Sequence, residues 1–341
     1  MRAIEPIPDT MQAAVLHAYD GAPDSLRIET RPVPRPQRGQ ALVKMSAAPI
    51  NPSDLMFLKG LYGVLKPLPV APGWEGAGRV VATGDDWLSR MLLGKRVACA
   101  APNQRDGTWA EYMLTSSARC IPLSDSISDE AGAMLIVNPL TAWALMDIAR
   151  RGGHRAFVQT AAASALGRML ARLSLHFGVE GVHIVRREEQ AELLRSMGAR
   201  HVLNSEADGF DEQLRTVCRE VGATIAFEAV SGMTAARVLR ALPDGGRLVL
   251  YGALSESPLM ADPRDLIFQR KRVEGFWLAD WLAKRTLWQQ LRLARQIQNA
   301  LGDLLRSEIA GRYPLHETHR ALQEYQASMT AGKRLLVMNL K

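Results

Sequence analysis

Cysteine is scarce in this chain: the 341 residues include three, Cys99, Cys120 and Cys218, and no two of them form a C-x-x-C pair. Because these cysteines are scattered and odd in number, they exclude a disulfide framework and are typical of a reducing compartment. No apolar run approaches the roughly 20 residues of a membrane-spanning helix. The opening residues, MRAIEPIPDT, have the character of neither a signal peptide nor a transit peptide. We therefore expect a protein of the cytoplasm.

Acidic residues are fewer than basic ones: the chain has 35 Asp and Glu and 42 Lys and Arg, so the net charge is +7 and the pI is about 9.5. A positive surplus favours anionic partners, which include nucleic acid, phosphate-rich cofactors and acidic substrates. The longest basic run is only Arg270-Lys271-Arg272, and aromatic residues do not alternate with basic ones. We therefore do not expect nucleic acid as the partner, and a phosphorylated cofactor and substrate remain.

The first part of the chain shows no alternation of strands with helices. Short β segments are instead separated by turns rich in proline and glycine, which is typical of a compact β-barrel or sandwich-like domain. We predict these segments at residues 13–17, 26–29, 41–47, 78–82, 96–100 and 109–114. The chain is long enough for a second domain with a core of its own.

The second part of the chain begins with helical stretches at Asp129 and at Asn138-Pro139, where Asn is predicted as the N-cap and Pro as the first helical residue. Strands then alternate with helices, which predicts a doubly wound parallel sheet with right-handed crossovers. The strands are predicted at residues 157–158, 182–185, 201–203, 223–230, 247–252 and 272–278. A long amphipathic helix is predicted over residues 286–305, and a last strand over residues 335–340 that returns to the first domain.

Residues 156–187 form the first βαβ unit of that sheet, although the full G-x-G-x-x-G fingerprint is missing and only Gly167 of it is present. The turn between strand and helix is nevertheless built of small residues, Ala161-Ala162-Ala163-Ser164. Phosphates can therefore approach the backbone and the N-terminus of the helix, where unpaired N–H groups favour anions. The alternative is a βαβ unit that binds no nucleotide.

The second strand of this unit ends in Arg186-Arg187. An acidic residue at this position usually holds the ribose hydroxyls of NAD, whereas arginine suits the 2′-phosphate of NADP. Glu188 and Glu189 follow directly and carry the opposite charge, which leaves NADH as the alternative. The pattern favours NADPH.

The domain order and the glycine-rich segment of residues 72–80, PGWEGAGRV, resemble the medium-chain dehydrogenase/reductase superfamily. The resemblance implies an α/β fold in which a doubly wound parallel Rossmann sheet is combined with a GroES-like β-barrel domain. It places the GroES-like catalytic domain at residues 1–133 and 280–341 and the NADPH-binding Rossmann domain at residues 134–279.

Zinc-binding members of that superfamily carry a histidine at the position of Trp74 and a cysteine near Asn51, together with a lobe of four cysteines that is missing here. Zinc needs three or four Cys, His or carboxylate ligands, and Trp and Asn supply none of the usual kind. His316 and His319 lie three residues apart without further ligands and read as surface histidines of a helix. We expect no metal.

Four segments resemble more narrowly the zinc-free, mitochondrial-type trans-2-enoyl-CoA/acyl-carrier-protein reductases of the quinone oxidoreductase-like branch: residues 48–55, 60–63, 137–143 and 266–281. The resemblance implies an NADPH-dependent oxidoreductase that reduces 2-enoyl thioesters in fatty acid metabolism and forms a homodimer. It assigns proton donation to Tyr62, and a tyrosine with an ordinary pKa of about 10 is protonated at neutral pH. By its position alone, Tyr62 could equally pack a proline-rich loop.

The resemblance also implies a substrate pocket with Asn51, Trp74 and Trp281, and a cofactor wall. The expected cofactor contacts are Asn138, Ala163, Ser164, Ala165, Leu166, Arg186, Arg187, Tyr251, Gly252, Ala253, Leu254, Phe276, Trp277, Leu278 and Lys333. The phosphate turn departs from the family, since Ala163-Ser164-Ala165-Leu166 stands where relatives usually have Asn-Ser-Gly-Val. Ala165 therefore adds a Cβ near the expected pyrophosphate.

Two other functions stay open at this point. A quinone or reactive-enone reductase would share the cofactor domain and need no demanding acid at residue 62. A non-catalytic, crystallin-like protein would keep the fold and bind nucleotide or RNA. The sequence does not separate coenzyme A from carrier-protein substrates.

Overall fold

The strands of residues 2–338, the part of the chain that the computed structural model describes, form two large sheets and one two-stranded sheet. The chain divides into a first unit, which comprises the residues up to Asn138 and those from Arg306 onward, and a second unit, Pro139–Leu305. The boundaries differ from the predicted ones, because residues 280–305 belong to the second unit. Arg285 pairs with Asp147 at 3.2 Å and Arg172 donates to the Leu304 carbonyl at 2.9 Å, and these bonds hold that stretch within the second unit.

The first unit is built from short strands, as the turn-rich sequence predicts. The strands are β1 (Arg2–Ala3), β2 (Thr10–Leu16), β3 (Leu26–Pro32), β4 (Gln40–Pro49), β5 (Glu75–Thr83), β6 (Arg96–Ala100), β7 (Tyr112–Ser116) and β8 (Cys120–Pro122). Three helices accompany them: α1 (Pro52–Leu58), α2 (Trp87–Leu92) and α3 (Asp129–Ala133). β4 pairs antiparallel with β5 and β7, and β5 pairs antiparallel with β6. Most residues of β4 to β7 are buried.

Two details of this unit differ from the prediction. The strand expected over residues 109–114 begins only at Tyr112, because Ala110 forms an isolated bridge with Ala13 instead. Helix α1 was not predicted, although Asn51-Pro52 and Asp54 are a helix-start signal. The backbone N–H of Asn51 donates to the Asp54 carboxylate at 2.8 Å, which fixes the start of α1.

The second unit alternates helices and strands. Its elements are α4 (Val137–Arg151), β9 (Ala156–Gln159), α5 (Ala165–Phe177), β10 (Glu180–Val185), α6 (Glu188–Ser196), β11 (His201–Asn204), α7 (Phe210–Val221), β12 (Ala223–Glu228), α8 (Gly232–Ala241), β13 (Arg247–Leu250), α9 (Pro263–Ile267), β14 (Arg272–Gly275), α10 (Leu278–Ala283) and α11 (Leu287–Ala300). The six strands are parallel in the order β11-β10-β9-β12-β13-β14. This is the doubly wound order that binds dinucleotides where it reverses.

Leu166, Met169, Leu170 and Leu173 recur at three- and four-residue spacing, which predicts an apolar helical face. The structure confirms this prediction, since all four side chains are buried in α5. Gly178 ends that helix with a φ of +66°, a conformation that an L side chain rarely adopts. Several predicted ends shift: β13 stops at Leu250, β14 stops at Gly275, and α11 stops at Ala300. The spacing of leucines predicted α11 five residues too long at its C-terminus, because the residues from 301 to 305 form a turn.

The chain then returns to the first unit through β15 (Ile309–Tyr313), α12 (Thr318–Ala327) and β16 (Lys333–Val337). β16 pairs antiparallel with β4 and parallel with β15, which confirms the predicted return. Residues 339 and 340 of the predicted last strand lie outside the described residues.

Candidate active site

A buried polar network lies where α1 begins in the first unit. Asn51 is fully buried and its amide donates to Glu75 Oε1 at 2.9 Å, while the ammonium of Lys333 donates to the Asn51 carbonyl oxygen. Lys333 was expected in the cofactor wall. The structure shows its ammonium engaged by Asn51 within the first unit, and the predicted cofactor contact stays a prediction.

Glu75 also organises the start of α4. Its Oε2 accepts the backbone N–H groups of Ile136 at 2.9 Å and Val137 at 2.8 Å. These N–H groups lie at the helix N-terminus, where intrahelical acceptors are lacking. The prediction that Asn138 caps this helix is wrong, because α4 begins at Val137, two residues before the predicted first helical residue, and a carboxylate from β5 supplies the cap. Asn138 lies in the first turn and is buried.

Burial perturbs every titratable group of the network. Desolvation raises the pKa of Asp54 to about 7 and raises the pKa of Glu75, and it lowers the pKa of Lys333 to about 8. Lys333 opposes the upward shift of both carboxyl groups, since a nearby positive charge favours their ionised form. Perturbed pKa values of this kind, caused by burial and by a neighbouring charge, are frequent at functional sites.

An aromatic wall adjoins the network and contains Tyr62. Its ring centroid lies 4.7 Å from that of Trp74, at an interplanar angle of 37°, and Trp74 in turn meets Phe57 edge-on at 5.3 Å. Tyr62 and Trp74 are both partly buried. The structure thus gathers Tyr62 and Trp74, two of the predicted site residues, next to the Glu75 side of the network.

Lys66 completes this wall and was missed by sequence reasoning. Its Nζ lies 4.4 Å from the Trp74 ring centroid and 5.6 Å from that of Phe57, and burial lowers its pKa to about 8. A desolvated cation–π contact is worth about 2 kcal/mol, whereas burying an ammonium costs several kcal/mol, so the rings offset only part of the cost. Within the described residues, Lys66 Nζ and Trp74 Nε1 are buried without a hydrogen-bond partner.

The small-residue turn of the second unit lies between β9 and α5, as predicted. Ala161 has a φ of +49°, and Ser164 caps α5 by accepting the Gly167 N–H at 3.1 Å. A Cβ on Gly167 would lie 2.4 Å from the Ala162 carbonyl oxygen, so glycine is required there for close approach. Ala165 and Leu166 begin the helix, where N–H groups have no intrahelical acceptor. The turn therefore presents donors to an anion.

Arg186 and Arg187 lie directly beyond β10 and both are exposed. Glu188, whose charge is opposite to theirs, pairs with Arg195 at 2.5 Å. The arginines are therefore placed at the carboxyl end of a strand beside the nucleotide crevice of this fold.

The remaining predicted cofactor residues follow the carboxyl ends of β13 and β14: Tyr251, Gly252, Ala253, Leu254, Phe276, Trp277 and Leu278. The Tyr251 N–H donates to the Glu228 carbonyl at 2.9 Å, and the Phe276 N–H donates to the Leu250 carbonyl at 2.7 Å, which fixes both segments. The Tyr251 hydroxyl is buried without a partner in the described residues, and burial raises its pKa. Trp281, expected in the substrate pocket, lies on α10 with the Arg285 guanidinium 3.1 Å above its ring.

Neither a metal cluster nor a membrane span occurs between residues 2 and 338. No three His, Cys, Asp or Glu side chains in that range are grouped as a metal ion requires. No helix there is both long and apolar enough to cross a bilayer.

Comparison with known proteins gives the same architecture. Residues 37–125 match the family model "Alcohol dehydrogenase GroES-like domain", and residues 165–294 match "Zinc-binding dehydrogenase". A mitochondrial enoyl-[acyl-carrier-protein] reductase from Homo sapiens is 30% identical over 306 residues, which cover 87% of this chain and 80% of that protein. Its Xenopus tropicalis counterpart is 29% identical over 92% of this chain and 91% of that protein.

Solved structures of other proteins share this fold. A crystal structure from Mesorhizobium loti, described as a candidate NADPH:quinone reductase, has a TM-score of 0.89 and 36% identity and covers 98% of this chain and 100% of its own. A mycobacterial structure complexed with NADPH has a TM-score of 0.81 and 26% identity, over 96% of this chain and 99% of that one. The chain therefore belongs to the medium-chain dehydrogenase/reductase superfamily and is an oxidoreductase.

Proposed function

We propose that this protein is an NADPH-dependent reductase of 2-enoyl thioesters. The observation that carries the proposal is the position of Tyr62, whose ring centroid lies 4.7 Å from that of Trp74 on a partly buried wall of the first unit. The similarity to enoyl-[acyl-carrier-protein] reductases, at 30% identity over 80% of the human protein, supports the substrate class.

The residues of the second unit fit NADPH. The turn at Ala161 and the donors at the start of α5 suit a pyrophosphate, and Gly167 lets α5 pack closely against the backbone of that turn. Arg186 and Arg187 suit the 2′-phosphate. The presence of NADPH in the similar mycobacterial structure supports this choice. When bound, NADPH supplies the hydride for the β carbon of the enoyl group.

Tyr62 supplies the proton. Addition at the β carbon leaves an enolate on the substrate, and the α carbon must then be protonated. A phenol with an ordinary pKa of about 10 is protonated at neutral pH and can donate. Contact with the tilted ring of Trp74 helps to hold Tyr62 in place, since an aromatic pair at this separation is worth about 0.5–1.5 kcal/mol. No metal is needed if backbone N–H groups stabilise the enolate oxygen.

A quinone or reactive-enone reductase is the second candidate. The observation that favours it is the 36% identity to the Mesorhizobium loti structure, whose description names a quinone. Such an enzyme would use the same second unit and would not depend on an acid at Tyr62.

The decisive experiment follows NADPH absorbance with crotonyl-CoA and, in parallel, with a quinone. We expect crotonyl-CoA to be reduced with the higher kcat/KM. Quinone turnover without enoyl turnover would instead support the second candidate. A protein that neither binds NADPH nor turns over would support the non-catalytic, crystallin-like alternative.

We further propose a homodimer formed through the edge of the second sheet. β14 ends the strand order and pairs only with β13 among the described residues, which leaves one edge open. Ile267 and Phe268, just before it, are 66% and 74% exposed. Open edges and exposed apolar side chains favour association with another copy. A cytoplasmic location and a role in fatty acid metabolism remain predictions.

A further inference from the structure

A cavity lies on the helical face of the second unit, between α4, α10 and α11. Its volume is about 480 Å³, which is in the range of small-molecule sites. Two of its lining residues, Arg150 and Arg151, end the helix that leads into the amino end of β9. Dinucleotides bind at the opposite, carboxyl ends of such strands, so this cavity is separate from the expected NADPH site.

The charge of this cavity is strongly unbalanced. Asp147 is the one acidic residue among its lining side chains. The cations are Arg150, Arg151, Lys284, Arg285 and Arg292. Asp147 accepts from Arg151 at 2.7 Å and from Arg285 at 3.2 Å, so a single carboxylate serves two guanidinium groups. Crowded like charges repel, and a bound anion would relieve that repulsion.

The arginines are also held in place before any ligand binds. Arg285 lies 3.1 Å above the Trp281 ring and donates to the Trp281 carbonyl at 2.6 Å. Arg150 lies 4.1 Å above the Phe177 ring. Fixed guanidinium planes bind phosphate with two parallel hydrogen bonds and lose little entropy when they do so. Trp143 adds an aromatic wall against which a planar base could pack.

We propose that this cavity binds the phosphates of a nucleotide, and that its ligand is the adenosine 3′-phosphate 5′-diphosphate end of a coenzyme A thioester. The identity of the thioester rests on the proposed function, whereas the phosphate chemistry rests on the cavity alone.

Direct binding tests the site independently of catalysis. Adenosine 3′,5′-bisphosphate is titrated calorimetrically into protein that is already saturated with NADPH, so that the cofactor site is filled. We expect one binding site, and we expect Lys284→Gln with Arg292→Gln to weaken it about tenfold or more, because charge-assisted hydrogen bonds are lost. Both side chains are exposed, so the fold should survive. Arg219→Gln, at an exposed arginine of α7, is the matched control and should change nothing.

Kinetics then identify the source of the nucleotide. With the same double variant, KM for crotonyl-CoA should rise about tenfold, while KM and kcat for crotonyl-pantetheine, which lacks the nucleotide, should stay unchanged. No bisphosphate binding, or equal binding by the double variant, would overturn the site. Binding that needs Lys284 and Arg292 but leaves both KM values unchanged would overturn the assignment to the substrate and leave a free nucleotide as ligand. If neither thioester is reduced, the proposed function fails, and the calorimetric titration still decides the site.

Discussion

Lys333, whose ammonium is buried, is the residue on which the polar network at the start of α1 depends. It is 2% exposed, donates to Asn51 and offsets the charge of Glu75. Removing one partner of a buried charge pair leaves the other charge uncompensated, which costs about 3–5 kcal/mol. We expect Lys333→Met to lower the free energy of unfolding, measured in urea, by that amount.

Lys44 provides a matched control for Lys333. Its side chain is 45% exposed and pairs with Glu5 at 3.0 Å. Exposed pairs contribute about 0–1 kcal/mol, so Lys44→Met should have little effect. Equal losses in the two variants would contradict the structural role of Lys333.

Asp54 should give stability a distinctive pH dependence. Its pKa in the folded protein is about 7, against an ordinary value of 3.8, so the folded state keeps a proton that the unfolded state has released. The free energy of unfolding therefore falls as pH rises from about 4 to 7, by at most about 1.4 kcal/mol per pH unit from this group. Below about pH 4 the group is protonated in both states and contributes no difference.

Asp54→Asn removes this titration and keeps an acceptor for the Asn51 N–H. Between pH 5 and pH 7 the free energy of unfolding of the wild type should fall by about 2 kcal/mol more than that of the variant, measured by urea denaturation at each pH. Asp9→Asn, at a carboxyl group that is 98% exposed, serves as the control. Parallel stability curves for wild type and Asp54→Asn would show that burial does not perturb this group.

At the scale of one element, we propose that the end of β10 decides which nicotinamide cofactor is preferred. Two exposed arginines follow Val185 there, and Glu188 pairs with Arg195. Arg186→Gln with Arg187→Gln should reduce the ratio of NADPH to NADH affinity about tenfold, equivalent to about 1.4 kcal/mol. Fluorescence titration with both nucleotides measures that ratio. An unchanged ratio would remove the arginines from the phosphate site, and Arg219→Gln should leave it unchanged.

Local signals predicted the elements unevenly. The apolar spacing and Gly178 predicted the buried face and the end of α5 correctly, because both features depend on residues close together in the chain. The start of α4 could not be found locally, since its cap is the carboxylate of Glu75, which lies on β5. Lys66 was equally hidden: nothing near it in the chain indicates that Trp74 and Phe57 enclose its ammonium.

For the whole molecule, the sequence predicted the fold class and the return of the last strand to the first unit. The rhythm of strands and helices suffices for that, because parallel sheets need crossovers. It misplaced residues 280–305, whose attachment depends on Arg285 and Asp147 and on Arg172 and Leu304, pairs far apart in the chain. The candidate site was predicted through family resemblance, and the charged network beneath it became evident only from the structure.

The proposed dimer is a property of the whole molecule. Placing carboxylates on the exposed apolar pair beside β14, with Ile267→Asp and Phe268→Asp, should produce monomers in sedimentation velocity experiments, because charges resist burial at an interface. Leu175→Asp, at a 53% exposed leucine of α5, should remain dimeric. A monomeric wild type would contradict the proposal directly.

The central claim is that Tyr62 donates the proton to a 2-enoyl thioester, and the most direct test is the steady-state rate of Tyr62→Phe with NADPH and crotonyl-CoA. Loss of a general acid should reduce kcat about 10²-fold or more, while the Kd for NADPH changes less than about twofold. Tyr112→Phe, at a buried tyrosine of β7, controls for loss of a hydroxyl elsewhere and should keep its rate. A Tyr62→Phe variant that reduces crotonyl-CoA at the wild-type rate would contradict the account.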